Sequence, residues 1–237
     1  MPEQLTPEPA HPPVIPEPVC EPLGDSALLF SWPQLEEPGV EVVVQAAHRS
    51  LLSGRDPAVR GLVPGWSTLA VHFSPLEESP SVLENRLRLQ LRRAPETVLT
   101  APRCLRIPVS FAPEHALDLP EVAMSCGLTV SGCIAALTAS VFRVRLIGFA
   151  PGFPYLSGLP EAFHLPRRAT PRLTVPAGSV AIAGGLAGIY PQASPGGWHI
   201  VGRTSLALFD PQRTPPCLLQ PGDEVQLERL DLVGGVA

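Results

Sequence analysis

The chain has 237 residues, 45% of them hydrophobic and 16% charged, with a formal net charge of −5 at pH 7. That length and apolar fraction suffice for one large or two small packed cores and exclude a disordered chain, while the acidic balance argues against a nucleic-acid binder, which needs a basic face for phosphates. All 17 basic residues are arginine, so a Walker-type phosphate lysine, a lysine Schiff base and a biotin-carrying side chain are excluded on this chain.

Seven of the first nineteen residues are proline, interleaved with glutamate; such a segment buries too little surface to offset its ordering entropy, and residues 1–18 are expected to be a disordered tail. Order is expected to begin near Glu21, with a strand at Ala27-Leu28-Leu29-Phe30. Val40 to Leu52 reads as a helix opened by Pro38 and closed by Gly54. A short strand at Gly61-Leu62-Val63, a turn at Pro64-Gly65 and an alternating strand over Ser67 to Phe73 form a hairpin. Ser81-x-x-Glu84 reads as a capping box, followed by Leu83, Leu87, Leu91 and Ala94 at helical spacing, with Arg86, Arg88, Arg92 and Arg93 on a solvated face. The order β-α-β-β-α predicts a small α/β sandwich over residues 19–100, with the boundary between 95 and 106.

Beyond Leu105 to Val109, a second capping box, Asp118-x-x-Glu121, opens a helix that ends at Gly127, and another helix runs from Thr129 to Ala139. Short apolar runs then alternate with Gly and Pro: Val144 to Ile147, Val180 to Ile182, His199 to Val201, Leu206 to Phe209 and Glu224 to Leu227. Frequent short strands with turns predict a closed or nearly closed β barrel over residues 101–237 with helices covering it, an α+β chain overall. The five cysteines are scattered and never paired as C-x-x-C, which suggests neither a disulfide framework nor a zinc site. No signal-peptide pattern and no run of 18 apolar residues is present, so a cytoplasmic location is the expectation.

The string from Leu146 to Thr204 departs from any core-packing period, placing Gly, Pro, Arg and single aromatics where strands should turn, as in a rigid loop-built site. Arg143, Arg145, Arg167, Arg168, Arg172 and Arg203 have few acidic neighbours in sequence. Arg172 and Arg203 are the candidate anion clamps, since a guanidinium holds a carboxylate or phosphate bidentately. Ser194 stands among prolines and glycines, with Gly196 and Gly197, where backbone N–H groups can cradle an anion. His199, beside Trp198, is either a general acid or base or a hydrogen-bonded structural histidine. Gly184-Gly185-Leu186-Ala187-Gly188 is followed by no helix pattern and reads as a turn rather than a nucleotide loop. No G-x-S-x-G or H-E-x-x-H motif is present, so neither a serine triad nor a metal site is expected.

The residues Gly148-Phe149-Ala150-Pro151-Gly152-Phe153-Pro154-Tyr155-Leu156, the Pro166-Arg167 and Pro171-Arg172 pairs, Val175 to Val180, Gly188 to Pro191 and Ser194 to Thr204 closely resemble the family of 5-oxoprolinase B subunits, also called allophanate hydrolase subunit 1 or the matching carboxyltransferase subdomain. Earlier segments, Pro22 to Leu29, Val63-Pro64-Gly65 and Ile107-Pro108-Val109, extend the resemblance over nearly the whole chain beyond the tail. It implies an N-terminal α/β domain followed by a cyclophilin-like barrel. It also implies ATP-dependent opening of 5-oxo-L-proline to L-glutamate with subunits A and C as partners, the chain being inactive alone. ATP is the implied cofactor, on this chain or a partner; no biotin is attached here. Alternative implied roles are the carboxyltransferase part of a urea carboxylase-like system and a histidine-kinase-inhibiting regulator. The candidate catalytic residues, read from the chain itself, are Arg172, Arg203 and His199. Substrate contacts would come from Phe149, Pro151, Gly152, Phe153, Tyr155, Arg167, Ser179, Tyr190, Ser194, Gly196, Gly197 and Trp198. The chain departs from the family pattern where Leu137 replaces a frequent histidine, in the Gly184 to Gly188 loop, which loses three polar side chains, and at Ala112-Pro113-Glu114.

Overall fold

A computed structural model describes residues 15–33, 35, 39–92 and 102–230. The chain divides into two compact units, at residues 101 and 102.

The first unit packs two helices on one antiparallel sheet. Its elements are β1 (Val19–Pro22), β2 (Ala27–Ser31), α1 (Gly39–Gly54), β3 (Val59–Pro64), β4 (Thr68–Phe73) and α2 (Pro80–Arg92), with strand order β1-β2-β4-β3. Leu69, Val71 and Phe73 alternate along β4 into the same core as Val40, Val44, Ala47 and Leu51 of α1 and Leu83, Leu87 and Leu91 of α2. Helix α2 begins at Pro80, where a missing N–H costs nothing, and the Ser79 carbonyl accepts the Leu83 N–H at 3.0 Å. Ser81, expected as the cap, therefore lies inside the first turn.

Of the expected 1–18 tail, residues 1–14 lie outside the described residues, as do Arg93 and Ala94. Residues 15–18 are engaged: Trp32 Nε1 donates to the Pro16 carbonyl at 2.8 Å, and Glu17 accepts from Arg88 and Arg92. The arginines of α2 face carboxylates, Arg86 on Asp56 and Glu78 and Arg88 on Glu84 and Glu17. A groove of about 870 Å³ includes Asp56, Glu77, Glu78 and Arg86 in its walls. Glu77 is paired with Arg60, and Asp56 and Glu78 with Arg86, while Arg55 also lines the groove.

The second unit is a barrel. After β5 (Cys104–Val109) come α3 (Leu119–Ser125) and α4 (Val130–Ala139). The strands that follow are β6 (Val141–Ile147), β7 (Pro154–Ser157), β8 (Arg172–Val175), β9 (Ser179–Ala183), β10 (Leu186–Ile189), β11 (Ser194–Gly196), β12 (His199–Arg203) and β13 (Glu224–Arg229). Seven strands form one sheet in the order β12-β9-β10-β7-β6-β13-β5, antiparallel except for β13 with β5. Its two edges meet: Ser110 N–H donates to the Arg203 carbonyl at 2.8 Å and Arg203 N–H to the Ser110 carbonyl at 3.0 Å. That pair closes the sheet around a core that includes Ile107, Leu137, Phe142, Val144, Leu156, Ile182, Val201 and Leu227. The α+β expectation with a barrel and covering helices holds.

Thr129 caps α4 by accepting the Gly132 N–H at 3.0 Å. Asp118 is the N-cap residue of α3, yet its carboxylate makes no cap bond, because it is taken by groups distant in sequence. Leu206 to Phe209, expected as a strand, forms only an isolated bridge between Phe209 and Cys217. Among the described residues no single helix is long and apolar enough to cross a membrane, and no group of His, Cys, Asp and Glu is arranged to hold a metal ion.

Candidate functional site

The outer face of the barrel across β7, β10, β9 and β12 is floored by small residues and walled by aromatic ones. Register places Tyr155 opposite Gly188, Gly188 opposite Ala181, and Ala181 opposite Ile200. Side chains on one face of a strand recur every second residue, so these four share that outer face, while Val180, Ile182 and Ile189 turn into the barrel. Above the floor Phe153, Tyr190 and Trp198 are buried with Val175, Ala181, Ala183 and Ile200 in a separate apolar cluster. Phe153 packs edge-to-face on Tyr155, Tyr190 and Trp198 with centroids 5.1, 5.2 and 5.9 Å apart. Each such pair is worth about 0.5–1.5 kcal/mol beyond its buried area. The result is an aromatic cup. A Cβ at Gly188 would stand 2.7 Å from Phe153 Cζ, so only glycine fits there.

The rim of the cup is made by the turn between β6 and β7. Ala150 N–H donates to the Gly148 carbonyl at 2.8 Å across Phe149, whose φ is +67°, a three-residue γ-turn. Phe153 N–H then donates to the Ala150 carbonyl at 3.0 Å. This second turn carries Pro151 and then Gly152 at φ +82°, the pattern of a type II turn. A bulky residue in the left-handed region costs about 1–3 kcal/mol, a strain that collects at functional sites. Phe149 is 63% exposed and packs edge-to-face on Phe153 and Tyr190, so the strain holds an aromatic ring over the cup's mouth.

A β-bulge brings charge to this face. Ile200 lies opposite Ala181, Gly202 opposite Val180 and Arg203 opposite Ser179, so β12 has one extra residue at Val201. Without it Arg203 would follow Val201 in phase and point into the barrel; with it, Arg203 shares the outer face with Trp198, Ile200 and Ser179. Arg203 Nε donates to the Ala177 carbonyl at 2.9 Å, and no carboxylate among the described residues pairs with the half-buried guanidinium.

The carboxyltransferase domain, subdomain C and D, family model matches residues 18–219. The chain belongs to this family. Among curated relatives, it is 42% identical over 170 residues to the 5-oxoprolinase B subunit of Escherichia coli O157:H7, covering 72% of this chain and 78% of that one. To the 5-oxoprolinase B subunit of Bacillus subtilis strain 168 it is 35% identical over 224 residues, covering 89% and 92%. Among solved structures, TTHA0988 is 33% identical with a TM-score of 0.77 over 86% of this chain, which spans only 40% of the TTHA0988 chain. Kluyveromyces lactis urea carboxylase, at 19% identity and a TM-score of 0.68 over 90% of this chain and 22% of its own, shares the fold.

In this carboxyltransferase subdomain the expected site residues fall into separate groups. Phe149, Gly152, Phe153, Tyr155, Tyr190, Trp198, Ser179 and Arg203 converge on the cup or its edge, with Pro151 exposed at the rim turn. Arg167 is exposed and close enough for its charge to act on Tyr190, whose phenol burial nevertheless pushes upward in pKa. Ser194 and Gly196 lie on β11, which pairs with β8, and the Gly197 carbonyl accepts the Arg168 N–H. Pro195 has no N–H and β11 is paired, which leaves little of the expected backbone cradle.

Arg172 is held elsewhere. Its Nη1 and Nη2 bind Asp118 at 2.8 and 2.7 Å, and Arg168 binds the same carboxylate at 2.7 Å. Asp118, read in the sequence only as a helix cap, is the partner that the local sequence of Arg172 does not show. His199 is out of phase with the cup, opposite Ile182; its Nε2 donates to the Pro166 carbonyl at 2.9 Å, and its buried Nδ1 has no partner among the described residues. Leu137, at the family's frequent histidine position, is fully buried in the barrel core. The Gly184-Gly185 pair, both at positive φ, is the two-residue turn of the β9–β10 hairpin.

Proposed function

We propose that this chain is the substrate-binding component of an ATP-dependent 5-oxoprolinase that acts with subunits A and C, in the cytoplasm, to open 5-oxo-L-proline to L-glutamate. The observation that carries the reading is Arg203, a half-buried arginine with no carboxylate partner among the described residues, set by a bulge on the face of an aromatic cup. Relatives that are 5-oxoprolinase B subunits, at 35–42% identity, support it. A small lactam acid has the matching parts: a flat five-membered ring for the aromatic walls and a carboxylate for the two free Nη groups. A guanidinium–carboxylate contact is strongest where water is excluded, and Phe149 over the mouth excludes it.

A lactam is a poor electrophile, and ATP supplies the activation of its amide oxygen for attack by water. Three features of this chain favour an ATP site on a partner subunit. It has no lysine, the Gly184-Gly185 pair is a hairpin turn whose Gly184 N–H donates to the Leu165 carbonyl, and Arg172 is bound to Asp118. On this reading ATP is held by a partner subunit or shared with one, and this chain's part is to bind the carboxylate, orient the ring and exclude water.

The test is glutamate formation and ADP release by the purified chain with and without subunits A and C. Turnover that requires both 5-oxoproline and the mixture is expected. Arg203→Ala should raise KM for 5-oxoproline at least tenfold in the complex; wild-type KM in that variant would remove Arg203 from the site.

A further inference from the structure

The cup contains two hydroxyls that have no hydrogen-bond partner among the described residues. Ser194 lies opposite Val175 in the β11–β8 pair, and Val175 is fully buried in the cup's apolar cluster, so the Ser194 side chain turns toward that cluster. Its Oγ is buried and has no hydrogen-bond partner among the described residues. Tyr190 is 3% exposed, and its ring is gripped by Phe149 and Phe153. Its Oη reaches Gly196, where a Cβ would collide with it. No described residue hydrogen-bonds that oxygen.

Ser194 and Gly196 are two apart on β11, with a register irregularity in the β11–β8 pair between them, so both hydroxyls border that strand. A fully buried hydroxyl without a partner is destabilising, and Ser194 Oγ is one. Alanine and phenylalanine would pack the same space without that cost.

We propose that Tyr190 and Ser194 form an amide-reading subsite specific for a small-ring lactam, with Tyr190 Oη donating to the lactam carbonyl and Ser194 Oγ accepting from the lactam N–H. A small ring forces its amide cis, which puts N–H and C=O side by side on one edge; an open-chain amide is trans and presents them on opposite edges. Two neighbouring hydroxyls match the first pattern and not the second. Burial keeps the Tyr190 phenol protonated and so able to donate. The inference rests on the proposed 5-oxoprolinase reading and adds the groups that distinguish substrate from product. Opening the ring breaks the C–N bond and leaves an ammonium and a second carboxylate, so glutamate lacks the pattern and is released.

The experiment uses the reconstituted complex, with Tyr190→Phe, Ser194→Ala and Ser194→Thr in this chain. Two ligands are compared: 5-oxo-L-proline as substrate, and cyclopentanecarboxylate, which keeps the ring and acid but lacks the amide, as competitive inhibitor. Tyr190→Phe and Ser194→Ala are each expected to raise KM for 5-oxoproline about tenfold or more, to leave the inhibition constant of cyclopentanecarboxylate within twofold, and to keep the near-UV circular dichroism of the parent. Ser194→Thr, which keeps the hydroxyl, should retain most of the affinity. Unchanged KM in both variants of an active complex overturns the subsite and leaves the 5-oxoprolinase reading standing. Equal weakening of both ligands also overturns it, because the hydroxyls then only shape the cup. An assembled wild-type complex that neither binds nor opens 5-oxoproline overturns the underlying reading and this inference with it.

Discussion

Replacing Asp118 by alanine tests how the barrel holds its covering loops. The carboxylate is 3% exposed and accepts four hydrogen bonds: one from Arg168, two from Arg172 and one from the Ile200 N–H at 2.7 Å. Removing one partner of a buried ion pair costs about 3–5 kcal/mol. Both arginine side chains remain about a quarter exposed and can rehydrate, which discounts their share. Ile200 N–H lies in a buried strand and cannot reach water, so its loss adds about 1–3 kcal/mol. The two effects overlap, and a total of about 3 kcal/mol is expected. Asp118→Asn keeps an acceptor for Ile200 and loses only the charge, so it should cost less, about 2 kcal/mol. Hydrogen exchange followed by mass spectrometry reads this directly: protection of peptides covering 198–204 should fall about 100-fold in Asp118→Ala. A loss below about fivefold in both variants would show that the arginines are held by packing and would refute the reasoning.

Gly152→Ala should destabilise the barrel by about 2 kcal/mol in urea unfolding, because it combines φ +82° with a Cβ only 2.7 Å from that of Phe209. Phe149→Ala keeps the Cβ that strains the γ-turn and removes a ring that is mostly exposed, so stability should change by less than about 1 kcal/mol while KM for 5-oxoproline rises several-fold. In the first unit, burial holds the His48 pKa below its ordinary value of 6.5, with Arg49 adding to the effect. As pH falls through 6.5 the unfolded chain takes up a proton that the folded chain refuses, so stability declines toward the folded pKa and was fully present above 6.5. His48→Gln should flatten the urea midpoint of that unit between pH 7 and pH 5, and an unchanged slope would remove His48 as its cause.

Local chemistry was legible in the sequence where one element decides it. The valines and leucines of α1 and α2 recur at helical spacing and bury as that spacing demands. Thr129 caps its helix because the donor lies three residues away, and Pro151-Gly152 and Gly184-Gly185 turn where backbone sterics leave them little choice. The aromatic and glycine residues of the cup were also visible, since no core period accounts for them.

What the sequence left open depends on pairing between segments far apart in the chain. Asp118 carries the signature of a helix cap, but arginines 50 and 54 residues later outcompete a neutral N–H for its charge. The face on which Arg203 emerges turns on one extra residue in β12, and a one-residue shift sends a strand side chain to the opposite side. Ser110 and Arg203 close the barrel through main-chain groups that every residue possesses, so no side chain announces the closure. By itself the sequence determined which helices, turns and aromatic residues this protein has, because propensity and backbone sterics act within a few residues. The tertiary structure decided which arginine stays free beside the cup, because only strand register and a long-range ion pair distinguish Arg203 from Arg172.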